Sequence, residues 1–191
     1  MKKIILLVNC FIFIFASYLL AAEKVGKEEQ SKFNYLKKEQ ARFYRMQGLR
    51  LQEEGNLGSA LQLYQKAAEL DPACPEIYND LGIIYEAYMQ PDRAEESYLQ
   101  AIMLDPELLA AYTNLALLYE SRRQLEKAAS YWRQRIELGS PDDPWTIKAQ
   151  QRVQDINLVL SGDPAMQMRE QEINDLAREI SERRAGQNAG R

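Results

Sequence analysis

The chain has 191 residues, enough for one domain with appendages, and its 46% apolar content allows a sizeable core. With 24 basic residues against 28 acidic ones, it lacks the net basic balance of a nucleic-acid binder, and no nucleic-acid partner is expected. Histidine is absent, which excludes histidine-based catalytic triads, histidine-ligated metals and histidine pH switches.

Residues 1–22 open with Lys2 and Lys3. They then run apolar from Ile4 to Ala22, broken only by Asn9 and Ser17. Small residues, Ala21 and Ala22, close the run, which is the layout of a secretory signal peptide. Leu19 or Leu20 stands where the cleavage box prefers a small residue. The run also nearly reaches the ~20 residues that span a bilayer. An uncleaved anchor over 4–22 is therefore the competing reading. Both leave Lys2 and Lys3 on the cytoplasmic side. The body is then expected to be exported, periplasmic or envelope-associated, with membrane contact only through this segment if it is uncleaved. Cys10 lies within it, so its removal leaves Cys74 alone and permits no internal disulfide.

Residues 23–40 form a charged leader and a helix extension. Glu23 to Gln30 lacks an apolar pattern and reads as a flexible leader. From Ser31, the expected N-cap, Phe33, Leu36, Gln40, Phe43, Gln47 and Leu51 fall at helical spacing. They predict a helix from about Lys32 to Glu54. Its first part is expected to shield the open face of a repeat array that begins at Ala41, because terminal repeats need such cover.

The repeat has a period of 34. Tyr44, Tyr78 and Tyr112 share a phase, as do Gly48, Gly82 and Ala116. So do Ala60, Ala94 and Ala128, then Tyr64, Tyr98 and Trp132, then Leu70, Leu104 and Leu138. The units are 41–74, 75–108 and 109–142. In the second, Ile77, Tyr78, Leu81, Ile84 and Tyr85 mark one helix, with Pro75 in its first turn. Pro91 opens the next, lined by Ala94, Tyr98, Ala101 and Ile102. Asp105-Pro106 stops it, because proline disfavours helix in the residue before it. Gly82 and Ala94 let two backbones approach, and Tyr78 and Tyr98 fill the wider gaps.

Tyr78-x-x-Leu81-Gly82-x-x-Tyr85, followed by Ala94, Tyr98 and Pro106, resembles the tetratricopeptide repeat (TPR), in an exported bacterial-type setting. Gly48, Leu51, Ala60, Tyr64 and Pro72 match in the first copy, where Gln47 departs from the usual leucine. Tyr112, Leu115, Ala116, Tyr119, Ala128 and Trp132 match in the third. The resemblance implies an all-α fold: an α-solenoid of three helix-turn-helix units with a capping helix and a further C-terminal helix.

The third copy departs at its end, where Arg135 replaces the alanine of Ala67 and Ala101, and Gly139-Ser140 replaces Asp-Pro. Asp143 and Pro144 then offer an N-cap and first-turn proline for a capping helix over 143–161. Trp145, Ala149, Val153, Ile156 and Leu160 are its expected apolar face. Ser161-Gly162-Asp163-Pro164 is a break. Residues 162–191 are expected to hold an amphipathic helix, Ala165 to Arg184, striped by Ile173, Leu176 and Ile180, and a frayed tail.

No catalytic constellation, phosphate loop or metal-ligand spacing appears, so neither enzyme activity nor a cofactor is expected. Glu53, Glu54, Glu95 and Glu96 read as solvated helix surface, and Cys74 as a structural or incidental thiol. The resemblance implies instead a non-catalytic scaffold whose first helices line a concave groove for a protein partner. The groove positions it implies are Arg42, Arg45, Leu49, Gln52 and Glu53; Glu76, Asn79, Ile83, Glu86 and Ala87; and Ala110, Thr113, Leu117, Glu120 and Ser121. Leu49, Ile83 and Leu117 make an apolar row, Arg42 and Arg45 a positive end, and Glu86 and Glu120 an acidic edge. Asn79 and Thr113 are expected to hydrogen-bond an extended backbone. Leu49 and Asp80 stand where the family's carboxylate clamp needs asparagines, which argues against a Glu-Glu-Val-Asp tail as ligand. A mixed apolar and polar peptide or a helix fits better. The alternative function is a membrane-tethered structural oligomer that self-associates through its C-terminal helix.

Overall fold

In the computed structural model the described residues are 2–162 with Glu172, Ile173, Asp175 and Arg178; for 2–23 and Val25 only the backbone is described. Among the described residues there are seven named helices and no strand. They are α1 (Lys2–Glu53), α2 (Leu57–Leu70), α3 (Pro75–Ala87), α4 (Pro91–Leu104), α5 (Leu109–Ser121), α6 (Leu125–Leu138) and α7 (Pro144–Leu160). The expected helix over 165–184 lies outside the described residues, apart from Glu172, Ile173, Asp175 and Arg178, which are helical. The chain divides into two compact units, Met1–Ile77 and Tyr78–Arg191.

In the first unit, α2 folds back on the last part of α1. Gly48 of α1 is buried, and a Cβ there would stand 2.6 Å from the Tyr64 ring. The tyrosine lies where only a glycine leaves room. α1 corrects two sequence expectations. Ser31 is inside the helix rather than at its start, and Lys24 to Gln30 are helical rather than a flexible leader. Glu, Lys and Gln are strong helix formers, no proline interrupts them, and Gln30 Nε2 donates to Asn34 Oδ1 at 3.1 Å. The same continuity undoes the expected shielding. An unbroken helix cannot double back on its own repeat, and Phe33, Leu36 and Phe43 are all about half exposed. Among residues whose side chains are described, no helix is long and apolar enough to cross a membrane. The side chains of 1–22 lie outside that set.

The second unit begins within α3. Gly82 repeats the close approach, with the Tyr98 ring 2.4 Å from a Cβ built on it. Ala94, Tyr98, Ala101, Ala111, Leu115, Ala116, Ala128 and Trp132 are fully buried. The expected proline starts hold: Pro91 and Pro144 occupy the first turns of α4 and α7. α4 ends at Leu104, before Asp105-Pro106. On α7 the buried stripe is Thr146, Ala149 and Ile156. Trp145 and Leu160, read as part of that stripe, are 44% and 45% exposed. The helix is therefore rotated from the face its apolar residues alone suggest. The bonds of Arg135 to Asp143 and Thr146, and of Arg152 to Glu120, set that rotation.

The turn inside each repeat follows one rule. Gly55, Met89 and Arg123, one period apart, all have φ between 57° and 79°. Each donates its N–H to a carbonyl three residues back, and the next residue donates to one five back: Asn56 to Leu51, Gln90 to Tyr85, Gln124 to Tyr119. This Schellman closure satisfies the last carbonyls of the first helix and reverses the chain in two residues. Glycine adopts the left-handed conformation without strain; methionine does not. Met89 is 87% exposed, so its side chain contributes little packing. Met89→Gly is expected to stabilise the protein by about 0.5–1 kcal/mol, read as a raised denaturant midpoint with an unchanged m-value.

Candidate functional site

Four of the groove residues read from the sequence meet in the first unit. Arg42, Arg45 and Leu49 of α1 and Glu76 of α3 line a recess of about 370 Å³, closed by Met46, Asp71 and Cys74. Arg42 is exposed and pairs with Glu39 at 2.7 Å on its own helix. The Cys74 thiol donates to Glu76 Oε2 at 3.0 Å. Burial, the hydrogen bond to Glu76 and the charge of Glu76 push the thiol pKa up to about 11. It is therefore protonated at neutral pH and a poor nucleophile, as its structural reading requires. The same hydrogen bond lowers the Glu76 pKa against partial burial, helped by its own backbone N–H and by the charges of Arg45 and Arg42. The recess thus carries a held carboxylate opposite two guanidinium groups, with aliphatic surface between.

An equivalent recess occurs in the second unit, about 330 Å³ in volume, lined by Leu109, Ala110, Thr113, Asn114, Arg135 and Trp145. Its α5 residues lie two periods on from Ala41, Arg42, Arg45 and Met46, and Trp145 lies two periods on from Ile77. The repeat therefore places the same hollow between successive first helices and changes its lining from charged to mostly apolar.

Several predicted groove residues do different work. Glu86 Oε1 accepts the Tyr98 hydroxyl at 2.5 Å, and Glu120 Oε1 accepts Trp132 Nε1–H at 2.5 Å. Gln52 Oε1 accepts the Tyr64 hydroxyl at 2.8 Å. The three acceptors share one phase, and so do the three donors. Glu86 and Glu120 are thus not a free acidic edge; they satisfy buried donors that have no access to water. Burial, the bond to Glu86 and the charges of Glu86 and Asp80 raise the Tyr98 pKa far above its usual value, which keeps the phenol a donor. Asn79 is buried and its Oδ1 accepts from Asn114 Nδ2 at 2.9 Å, so that oxygen binds α5 rather than a peptide. The Thr113 hydroxyl donates to the Leu109 carbonyl at 3.1 Å, turned into its own helix. Ile83 is half-buried and Leu117 is 36% exposed, as surface positions of the second unit. Glu95, read as solvated, accepts Tyr119 Oη–H at 2.7 Å and Arg122 Nη1–H at 2.6 Å.

The residue missed from the sequence is Arg135. It is 3% exposed, at the position where the other copies carry a buried alanine. Its guanidinium pairs with Asp143 and donates from Nη1 to Thr146 Oγ1 at 2.9 Å. Asp143 Oδ2 also accepts the Thr146 N–H at 3.0 Å and the Thr146 hydroxyl at 3.1 Å, which is the expected N-cap of α7. A Cβ on Gly139 would stand 2.2 Å from both Arg135 Nη1 and Thr146 Oγ1. That explains why glycine replaces aspartate at this turn. Arg152 of α7 donates to both oxygens of Glu120, from Nε at 3.1 Å and from Nη2. The sequence signals were Arg135 in place of an alanine and the loss of Asp-Pro.

Among the described residues this architecture defines a class: tandem helix pairs followed by a further helix, α7. A TPR repeat family model matches residues 48–87, and a tetratricopeptide repeat model matches residues 90–144. The chain belongs to the tetratricopeptide repeat family. Solved structures share its fold. The first TPR of Spaghetti (RPAP3), bound to the HSP90 peptide SRMEEVD, is 20% identical with a TM-score of 0.59, over 65% of this chain and 95% of that one. The Yersinia enterocolitica type III secretion chaperone SycD, in complex with a peptide of the translocator YopD, is 18% identical with a TM-score of 0.58, over 61% and 92%. The Sgt2 TPR domain from Aspergillus fumigatus is 20% identical with a TM-score of 0.57, over 63% and 82%. No curated protein matches the chain.

The Asp143 cluster has a pH signature. Burial opposes ionisation of Asp143, but hydrogen bonds from Arg135 and Thr146 and the charge of Arg135 outweigh it and hold the pKa below the ordinary aspartate value. A depressed folded-state pKa contributes stability above the unfolded pKa of about 3.9, and the contribution is lost as pH falls through the folded value. Asp143→Asn is expected to lower the melting temperature at neutral pH. The gap from the unmutated protein should close below about pH 4, as followed by circular dichroism melts across an acid series.

Proposed function

We propose that this chain is a non-catalytic interaction module that holds a segment of a partner protein along its first helices. The observation that carries the reading is the recess of the first unit, where Arg42, Arg45, Leu49 and Glu76 converge, together with its counterpart two periods later. A charged hollow and an apolar one suit a partner segment of mixed character. The peptides named for the RPAP3 and SycD structures support a peptide as ligand for this fold. The HSP90 tail itself is not carried over, because Leu49 and Asp80 depart from the clamp and Asp80 is buried.

We place the module outside the cytoplasm, in the cell envelope, from the basic-then-apolar order of residues 1–22. Photo-crosslinkers at Arg45, Ile83 and Leu117 are expected to capture one common partner. Exposed second-helix positions Lys66, Glu96 and Arg133 serve as controls. Equal capture at the controls overturns the groove.

A membrane-tethered oligomer is the second reading. It is favoured by the half-exposed Phe33, Leu36 and Phe43 on the same helix as residues 4–22. Intact mass of the protein from cells decides it: retention of residues 1–22 supports the tether, and their loss removes it.

A further inference from the structure

Phe33, Leu36 and Phe43 of α1 are 53%, 55% and 49% exposed. With Gln40 between the last two, they recur at spacings of three and four and so form one stripe along the helix. Lys32 and Lys37 border this stripe, one on each side, and both are exposed. The Lys37 ammonium lies 4.7 Å from the Phe33 ring centroid, at the stripe's edge. Beyond α7, Ile173, Leu176 and Ile180 repeat the same spacings in the sequence, and Glu172, Asp175 and Glu179 each stand one residue earlier. A second apolar stripe therefore has an acidic row along one edge. Glu172, Ile173 and Asp175 are helical and exposed, Ile173 at 66%. Large apolar groups left in water at both places favour association.

We infer that the α1 stripe is the docking site for residues 172–184 of a second copy of this chain, packed as a short parallel helix pair. The inference deepens the oligomer reading: it rests on self-association through the C-terminal segment and not on the tether. Ile173 and the α1 stripe are both exposed within one chain, so it is a second copy that covers them. Charge then selects the pairing. In paired helices a residue just before one stripe faces the residue five places on in the partner. With Ile173 set against Phe33, Leu176 meets Leu36 and Ile180 meets Gln40. Glu172 then faces Lys37, and Arg184 faces Glu39. Two copies of α1 paired with each other in register would instead set Lys32 of each against Lys37 of the other, a repulsion made twice. Each copy carries both stripes, so two copies close into a pair that makes the favourable contact twice. The doubling compensates for the shortness of the stripe.

The test is sedimentation equilibrium of the full protein as isolated from cells, in detergent where residues 1–22 are retained. A monomer–dimer equilibrium is expected. Leu176→Asp should weaken it about a hundredfold and Lys37→Glu about tenfold. The double variant Lys37→Glu/Glu172→Lys should restore the original dissociation constant, as coupled partners do. Melting temperatures of the two charge variants in dilute solution should match that of the unmutated protein, because Lys37 and Glu172 are exposed. Tightening by Lys37→Glu overturns the inference, since that is the response of α1 paired with α1. A double variant no tighter than Lys37→Glu alone overturns it too. A dimer that none of the variants changes overturns it and leaves self-association standing. A protein that is monomeric at every concentration overturns the inference and the oligomer reading together.

Discussion

The hydrogen bond between the two helices of each repeat is the constraint on which the rest depends. A bulky aromatic from the second helix must lie across the first, and its polar atom must find an acceptor there. Tyr64 meets Gln52, Tyr98 meets Glu86 and Trp132 meets Glu120, each twelve residues apart in sequence. In the first two pairs the ring also needs a glycine beneath it, Gly48 or Gly82. A residue with a side chain at those places would collide with the ring, and one without an acceptor at Gln52, Glu86 or Glu120 would strand a buried donor. In those two pairs the two conditions together fix the angle at which the helices close.

The end of the repeat array is governed by the same need to partner buried polar groups. After α6 the chain substitutes Arg135 for an alanine and ties it to Asp143 and Thr146 at the start of α7. Arg152 then joins α7 to Glu120, which already accepts from Trp132. Partnered charges rather than apolar area set how α7 sits, which is why Trp145 and Leu160 are turned toward solvent. The exposed indole is a consequence of that arrangement. It gives the second recess a character that the first does not have.

The groove residues divide by the same logic. Those on α1, Arg42, Arg45 and Leu49, remain surface or recess groups. Those on α3 and α5 are largely drawn into internal bonds: Asn79 with Asn114, Glu86 with Tyr98, and Glu120 with Trp132 and Arg152. A family's contact positions name places along a helix, but a side chain at such a place first answers to the nearest buried donor. Only what is left over is available to a partner.

The period of 34, the small-and-aromatic alternation and the prolines at helix starts were all legible in the sequence. Repetition displays a local rule several times, and helix pairing depends on neighbours within one unit. Those signals determined the all-α class, the helix pairs and the capping helix. The continuity of α1 through Ser31 was not legible, since a serine that caps a helix elsewhere is tolerated within one when flanking residues favour helix. The orientation of α7, the engagement of Asn79, Glu86 and Glu120, and the role of Arg135 were decided only by the tertiary structure. Each depends on which donor and acceptor come within about 3 Å across different helices, and side-chain periodicity carries no record of that distance.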